Sequence, residues 1–489
     1  MFRVAPLITL VAAALFAGGL ALGPRLGAQG TVTPASPPQA STLEEQVDLA
    51  LTVYNSDIAL VRDVRELRLP AGSFDLHFGD IAATVKPETV HFRSLTSPQA
   101  VRVLEQNYQY DLLEPAKLLD KYVGRDVTLV RRRTDGGSTV EEAVTARLLS
   151  NNNGPVWRIG DEIVTGLAAD HLRFPEVPGN LFARPTLVWT LQSGAAGAQR
   201  IEASYLATSL AWKADYVMTV ARDDKTADLD GWVTLTNNSG TTFREARLQL
   251  VAGDLNRVHD VPMPAPAMEM MARAAVAADM AQESFGEYHL YTLGRKTTVA
   301  NRETKQVSLL GGTGVAVRKQ YVVLGRQAYY HNRQAPGSPM KEPVQVFFRF
   351  RNDEASGLGL PMPAGVVRVY QADSRGNLQF AGEDRIDHTP KDEELGIKIG
   401  TAFDVVAERR QLTYERIANN ILEVEHEVVV RNHKDTAIEV QVDEPIGGSW
   451  QMLNASHEWE KTSAWAARFK VPVAASGSAT LRYKVRVTY

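Results

Sequence analysis

Residues 425–442 read EHEVVVRNHKDTAIEVQV, and this stretch decides the fold class. Apolar side chains recur at every second position on both sides of a polar segment that begins at Asn432. Such alternation places successive side chains on opposite faces of a strand, whereas a helix would scatter them around its axis. The first strand, extended back to residue 421, presents the face Leu422, Val424, His426, Val428 and Val430, and the second presents Ile438, Val440 and Val442. We therefore expect two half-buried strands, the first of which ends at an asparagine.

The same arrangement occurs in 232–250 (WVTLTNNSGTTFREARLQL) and in 345–357 (QVFFRFRNDEASG). Asparagine and glycine tolerate left-handed backbone and bond their own main chain, so they suit the ends of strands. The last residues, ATLRYKVRVTY (479–489), alternate again. Many such strands at short spacing indicate antiparallel sheets with one solvated face. The sequence predicts an all-β fold of antiparallel β-sandwich domains, with a small inserted β-barrel-like region and few short helices.

Composition excludes several classes of function. The chain has 489 residues, of which 44% are hydrophobic, and a formal net charge of −4 without a polybasic block. No feature therefore suggests a nucleic-acid partner. The sequence contains no cysteine, which excludes thiol catalysis, cysteine-ligated zinc and iron–sulfur clusters.

The N-terminus predicts export. One early cation, Arg3, precedes an apolar run and small residues, which is the layout of a secretory signal peptide with cleavage near residue 28. An uncleaved membrane anchor is the alternative, although the run of 17 residues from Pro6 to Leu22 is short for a bilayer. Export without cysteine favours a periplasmic or cell-surface location. The mature chain is expected to lack a membrane span, and its oligomeric state stays open.

The chain divides by pattern into successive regions. A helix is expected within 111–124, because Leu118, Leu119 and Tyr122 have helical spacing and Gly124 is a stop signal. The predicted regions are a signal peptide (1–28), a flexible linker (29–45), an N-terminal β region (46–110), a small barrel-like region with a short helix (111–180), a β-sandwich region (181–261), a mobile Met/Ala/Pro-rich loop or helix (262–284) and a C-terminal β-sandwich region (285–489).

Four long stretches, 51–95, 105–130, 285–310 and 360–405, resemble the mucoidy-inhibitor-like family of exported bacterial proteins. The C-terminal half of that family is a domain of unknown function. The resemblance implies a mainly β architecture and an envelope location, and the family name alludes to exopolysaccharide production. It supplies no catalytic or binding residues. Larger relatives have a long coiled coil that this sequence lacks, so any function of that segment does not transfer.

Three groups of residues are weak candidates for metal binding. His426 and His289 lie in strand patterns, where an interior histidine with satisfied hydrogen bonds is the expected role. Thioethers bind Cu(I), but a flexible loop or an adaptable apolar surface is the favoured explanation of Met263, Met268, Met270, Met271 and Met280, because no histidine or cysteine accompanies them. Calcium takes six to eight oxygens, but a solvated turn is the favoured explanation of Glu383, Asp384, Asp387, Asp392, Glu393 and Glu394.

The aromatic residues near the C-terminus are the remaining candidates. Core or hairpin packing is the expected role of Trp450, Trp459 and Trp465, and an exposed row that stacks on sugar rings is the alternative. No catalytic, cofactor-binding or metal-binding residue can be named, and no cofactor is expected. The favoured function is a non-catalytic envelope module with a protein or glycan partner. The alternative is a hydrolase of envelope polysaccharide, whose paired carboxylates would come together only in the fold.

Overall fold

The computed structural model describes residues 38–109, 113–135, 138–178, 181–253, 280–335 and 338–489. The predicted signal peptide and the methionines from 263 to 271 lie outside these residues. Within the described chain the structure is almost entirely β, so the predicted fold class is confirmed.

The first part of the described chain, up to residue 253, contains sixteen strands and one helix. They are β1 (Gln39–Ser41), β2 (Gln46–Tyr54), β3 (Ile58–Leu69), β4 (Gly72–Gly79), β5 (His91–Ser94), β6 (Val101–Gln109), α1 (Pro115–Lys121), β7 (Asp126–Asp135), β8 (Ser138–Ser150), β9 (Val156–Ile159), β10 (Glu162–Thr165), β11 (His171–Arg173), β12 (Thr186–Ser193), β13 (Gly197–Thr208), β14 (Leu210–Val220), β15 (Thr226–Asn237) and β16 (Phe243–Ala252).

The described residues from 280 onward contain seventeen strands. They are β17 (Met280–Phe285), β18 (Tyr288–Leu293), β19 (Thr297–Val299), β20 (Glu303–Ala316), β21 (Arg318–Leu324), β22 (Met340–Glu342), β23 (Val344–Arg351), β24 (Gly365–Ala372), β25 (Leu378–Ile386), β26 (Glu394–Thr401), β27 (Val405–Ala418), β28 (Ile421–Asn432), β29 (Ile438–Pro445), β30 (Ser449–Ala455), β31 (Trp459–Ser463), β32 (Ala466–Val473) and β33 (Ser478–Thr488). A 3-10 turn, Gln327–Tyr330, precedes β22.

The strands form six sheets. In spatial order they are sheet 1 (β1-β4-β12-β6), sheet 2 (β17-β18-β16-β2-β3-β13-β5, with β19 beside β16), sheet 3 (β10-β9-β8-β7-β11), sheet 4 (β20-β15-β14-β24-β25), sheet 5 (β26-β23-β21-β29-β32-β31) and sheet 6 (β22-β27-β28-β33-β30). Sheets 1, 2 and 4, together with parts of β23 and β26 from sheet 5, share a first core, and sheets 5 and 6 enclose a second core. We call sheets 5 and 6 with this second core the C-terminal sandwich.

This division differs from the predicted regions. The first core takes β18, β20 and β24 from the region that the sequence assigns to the C-terminal sandwich. The reason is long-range pairing: β24 lies parallel to β14, with Gly365 beside Ala214. Parallel neighbours are joined by long connections, so a pattern read along the chain does not show them.

The inserted region is built around a small core of its own, which includes Tyr122, Leu148 and Trp157. Helix α1 lies inside the stretch for which the sequence predicts a helix. Sheet 3 is antiparallel, but in the described chain its end strands β10 and β11 do not pair with each other. The sheet is therefore open, and it is not a closed barrel.

Two predicted flexible segments contain ordered structure at one end. Within the predicted linker, β1 pairs with β4, and Arg65 Nη1 donates to the Ser41 carbonyl oxygen at 3.0 Å. Met280–Phe285, at the end of the predicted mobile segment, forms a hairpin with β18. The two-residue turn begins at Gly286, whose φ of +60° suits such a hairpin. The pairing with β4 and the bond from Arg65 thus order the later part of the predicted linker. The hairpin with β18 orders the end of the predicted mobile segment.

The three strand-ending asparagines are buried corner residues. In Asn237 and Asn432, Oδ1 accepts from the backbone N–H two residues on, and Nδ2 donates to the carbonyl four residues on, at 2.9 and 2.8 Å. Each amide also donates to a carbonyl in a distant loop, that of Ala300 for Asn237 and that of Ala474 for Asn432, both at 3.0 Å. Asn352 bridges two loops in a similar way. Each side chain thus fixes the place where the chain leaves one sheet, as β28 leaves sheet 6 and β29 enters sheet 5.

The predicted register of the deciding stretch is confirmed. Val428 and Val430 are fully buried in the second core, and Arg431 faces outward and pairs with Glu408. In β33, Val485 is buried while Arg486 is half exposed and pairs with Glu423. Among the described residues, no helix has the length and apolar composition needed to cross a bilayer.

Candidate functional site

Exposed tryptophans mark the C-terminal sandwich. Four of the seven tryptophans are buried, and Trp232 is half buried. Trp459 and Trp465 are 40% and 53% exposed. Both belong to the β31–β32 hairpin, which we call the tryptophan hairpin (residues 459–473). Tryptophan is a costly residue to leave in water, so two exposed copies in one hairpin identify a candidate contact surface.

Trp459 is exposed because it lies where the two sheets of the sandwich end. It is paired with Phe469, a core residue of the neighbouring strand β32. Strand β31 is the last strand of sheet 5 and β30 is the last strand of sheet 6. Trp450 of β30 meets Trp459 there, with ring centroids 5.8 Å apart. The core-facing side of β31 therefore extends beyond the last strand of sheet 6, so that no strand of sheet 6 covers Trp459 completely.

The turn that carries Trp465 is held by three hydrogen bonds. Trp450 Nε1 donates to the carbonyl of Ala464 at 2.9 Å. The backbone N–H of Ile446 donates to the carbonyl of Trp465 at 2.7 Å, and the N–H of Trp465 donates to Ser463 Oγ at 3.1 Å. The backbone is therefore fixed while the indole stays exposed. A preformed aromatic surface of this kind loses little conformational entropy on binding.

The arginine of the hairpin is paired with acidic side chains. Arg468 donates to both carboxylate oxygens of Asp443, at 2.8 and 3.1 Å, and lies 3.8 Å from Glu460. The hydrogen bonds to Asp443 raise the pKa of Arg468. The ammonium of Lys461 lies 4.6 Å from the centre of the Trp450 ring. The hairpin carries one acidic side chain, Glu460, and three basic ones, Lys461, Arg468 and Lys470, and two carboxylates, Asp443 and Glu460, neutralise the arginine.

A buried ionic network joins the two sheets beneath the hairpin. Arg409 of β27 donates to Glu444 of β29 at 2.5 Å, to Tyr483 at 2.9 Å and to Glu342 at 3.1 Å. Tyr330 donates to the second oxygen of Glu444 at 2.7 Å. Burial alone would lower the pKa of Arg409, but Glu444 raises it well above its ordinary value. The cation therefore stays charged and holds sheet 6 to sheet 5.

His426 lies beside this network. Its interior position is as predicted, but its expected hydrogen bonds are not formed: neither ring nitrogen has a partner of good geometry in the described chain. The ring packs edge-on against Tyr330, with centroids 5.4 Å apart. Burial, and then the charge of Arg409, lower the pKa of His426 to about 3, although the carbonyls of Tyr329 and Arg410 favour protonation. His426 is therefore neutral at physiological pH.

The described residues that the sequence offered as metal ligands do not come together around one point. Glu383 and Asp384 lie in β25 and Glu394 begins β26, and these carboxylates bond Arg368, the Lys398 amide and Arg318. Met280 is buried in β17, and His289 bonds Gln282 at 2.9 Å. Across the described residues, no cluster of three or more histidine and carboxylate side chains is suited to a metal ion.

Comparison of the chain with protein-family models and with curated proteins found no match. The resemblance to the mucoidy-inhibitor-like family therefore stays a prediction.

Proposed function

We propose that this chain is a non-catalytic protein of the bacterial envelope whose C-terminal sandwich binds a glycan through Trp459 and Trp465. The observation that carries the proposal is the exposure of both indoles on one rigid hairpin. Aromatic rings stack on the apolar faces of sugar rings, and the adjacent polar side chains bond hydroxyl groups.

The spacing of the two indoles favours a polymer. Trp459 lies opposite Phe469, and Trp465 lies in the turn four residues before Phe469, which corresponds to roughly 13 Å along the hairpin at about 3.3 Å per residue. One small ring cannot contact both, whereas an elongated chain can. The paired charges of Arg468 and Asp443 favour a neutral glycan over a strongly acidic one.

Binding is better supported than hydrolysis. A glycosidase needs two carboxylates facing each other across the bond that is cut. Beside the tryptophan hairpin, Asp443 and Glu460 both pair with the same arginine, Arg468. These carboxylates therefore serve to neutralise a cation, and the proposal assigns them no catalytic role.

The envelope location rests on the N-terminal sequence and on the family resemblance. If the signal peptide is cleaved, mass spectrometry of the periplasmic fraction should find a mature N-terminus between about residues 23 and 32. An intact Met1 in the membrane fraction would instead identify an uncleaved anchor.

Affinity electrophoresis tests the binding proposal. The mature chain should be retarded in gels that contain hydroxyethyl cellulose, a neutral glycan. Trp459→Ala and Trp465→Ala should each weaken the apparent affinity roughly three- to tenfold, because each removes one stacking contact.

Phe403→Ala is the matched control, because Phe403 is 94% exposed on a different turn of the chain. It should leave retardation unchanged. Equal loss in all three variants would indicate nonspecific adhesion. Retardation only in alginate gels would contradict the neutral-glycan class, and capture of an envelope protein without glycan binding would replace the proposal with a protein partner.

A further inference from the structure

The turn between β8 and β9 contains the one Asn-Gly pair of the sequence, Asn153–Gly154. Both residues are exposed, and a φ of +60° places Asn153 in the left-handed region, which asparagine tolerates better than most residues. The nearest core residues along the chain are Leu148 and Trp157. The pair therefore lies in the turn and outside the small core of the inserted region.

Asparagine is one of the thermolabile residues of proteins, because its side chain can react with the backbone of the residue that follows. In this pair the backbone nitrogen of Gly154, after losing its proton, would attack Cγ of Asn153. A bond forms between these two atoms, and the side-chain nitrogen leaves as ammonia. Water then opens the resulting succinimide ring at either of its two carbonyls. The product is aspartate or isoaspartate, and the reaction requires neither an oxidant nor a reductant.

The attacking nitrogen of Gly154 is unhindered. Glycine has no side chain, and apart from its two chain neighbours no described atom lies within 4 Å of the position that a Cβ of residue 154 would occupy. Its N–H makes no hydrogen bond of good geometry in the part of the chain that the structure describes. Neither packing nor a strong hydrogen bond therefore keeps this nitrogen away from the side chain of Asn153.

The two preceding asparagines differ from Asn153 in this respect. Asn151 is held in place, because its Nδ2 donates to Asp120 Oδ1 at 2.7 Å. Asn152 is followed by Asn153, whose side chain hinders the approach to the backbone nitrogen. The side chain of Asn153 bonds none of the described residues. It can therefore rotate towards Gly154 without breaking a contact, and such rotations of exposed side chains are fast.

We infer that Asn153 is a modification site, at which the folded protein deamidates spontaneously and nearly as fast as an unstructured peptide of the same sequence. The conversion adds one negative charge to the turn, and isoaspartate also lengthens the main chain by one carbon atom. Both changes fall outside the paired residues of β8 and β9, so the sheet is retained. The modified fraction of the protein increases with its age. This site does not depend on the proposed function of the tryptophan hairpin.

Incubation of the full mature chain at 37 °C and pH 8, followed by tryptic digestion and tandem mass spectrometry, tests the inference. Trypsin releases residues 148–158, LLSNNNGPVWR, so one peptide reports on all three asparagines. Conversion at Asn153 should exceed conversion at Asn151 and at Asn152 by at least about fivefold, since only residue 154 lacks a Cβ. Digestion in H₂¹⁸O marks any conversion that occurs after the incubation, because the new oxygen atom comes from water.

The synthetic peptide of residues 148–158, incubated in parallel, gives the rate without the fold. The folded chain should reach this rate within about threefold, because no hydrogen bond of good geometry has to break. Asn153→Gln keeps an amide but places it one bond farther from the backbone nitrogen, so conversion at residue 153 should fall to the level of Asn151. Far-UV circular dichroism checks that each chain stays folded during the incubation. The inference is overturned if Asn153 of the folded chain stays unmodified while half of the peptide is converted, or if Asn151 converts equally fast.

Discussion

Replacing Arg409 with methionine tests the buried network most directly. The substitution removes three hydrogen bonds, to Glu342, Tyr483 and Glu444, and leaves two buried carboxylates without their cation. A hydrogen bond to a charged group contributes about 1.5–3 kcal/mol, but such contributions are not additive. Removing one partner of a buried ion pair costs about 3–5 kcal/mol. We therefore expect Arg409→Met to lower the free energy of unfolding by about 4 kcal/mol.

The matched control is Arg486→Met, because Arg486 also bonds a glutamate, Glu423, but is half exposed. Glu423 keeps a second cation, Lys484, at 2.8 Å, and ion pairs that reach the surface contribute about 0–1 kcal/mol, so this variant should lose less than about 1 kcal/mol. Urea denaturation followed by tryptophan fluorescence measures both. Equal losses in the two variants would refute the argument that Arg409 stabilises the sandwich as a desolvated cation between the sheets.

Three further predictions concern the same sandwich. Because the folded-state pKa of His426 is lowered to about 3, the free energy of unfolding should fall as pH drops from about 6.5 towards 3, by at most roughly 1.4 kcal/mol per pH unit. His426→Phe should flatten this slope in urea melts between pH 7 and pH 4. An unchanged slope would exclude His426 as its source. Asn432→Ala should lower the free energy of unfolding, measured by thermal melting, by about 2–3 kcal/mol, since it removes the hydrogen bonds to the carbonyls of Thr436 and Ala474. A loss below about 0.5 kcal/mol would mean that water replaces the amide. Val430→Asp should cost several kcal/mol and Arg431→Asp less than about 1 kcal/mol in denaturant melts, and the reverse order would mean that the register is shifted by one residue.

The strand faces were predictable because they depend on local alternation. Val428 and Val430 share a face in any extended backbone, and their burial follows from the solvation of apolar groups. The end of the strand at Asn432 was predictable for the same local reason. Its bond to the Ala474 carbonyl was not, because that contact joins residues far apart in sequence.

The buried network gave no local signal. Arg409 stands beside Arg410 in AERRQL, and charged residues in such a pattern are usually exposed. Its burial depends on Glu444, which comes from the opposite sheet. The exposure of Trp459 likewise depends on where sheet 6 ends, and alternation alone does not reveal the bulge at Leu412. Each of these features requires the arrangement of several strands to be known first.

Strand β23 contributes side chains to both cores and so couples them mechanically. Val344 and Val346 pack in the second core, whereas Phe348 and Phe350, on the same face of the same strand, pack in the first core. Ile399 of the neighbouring strand β26 touches both cores. Loss of one core would leave half of this strand without its packing, so calorimetry should detect one cooperative transition for the two bodies. A force applied to the tryptophan hairpin would therefore be transmitted through sheet 5 to β23, and from β23 into the first core.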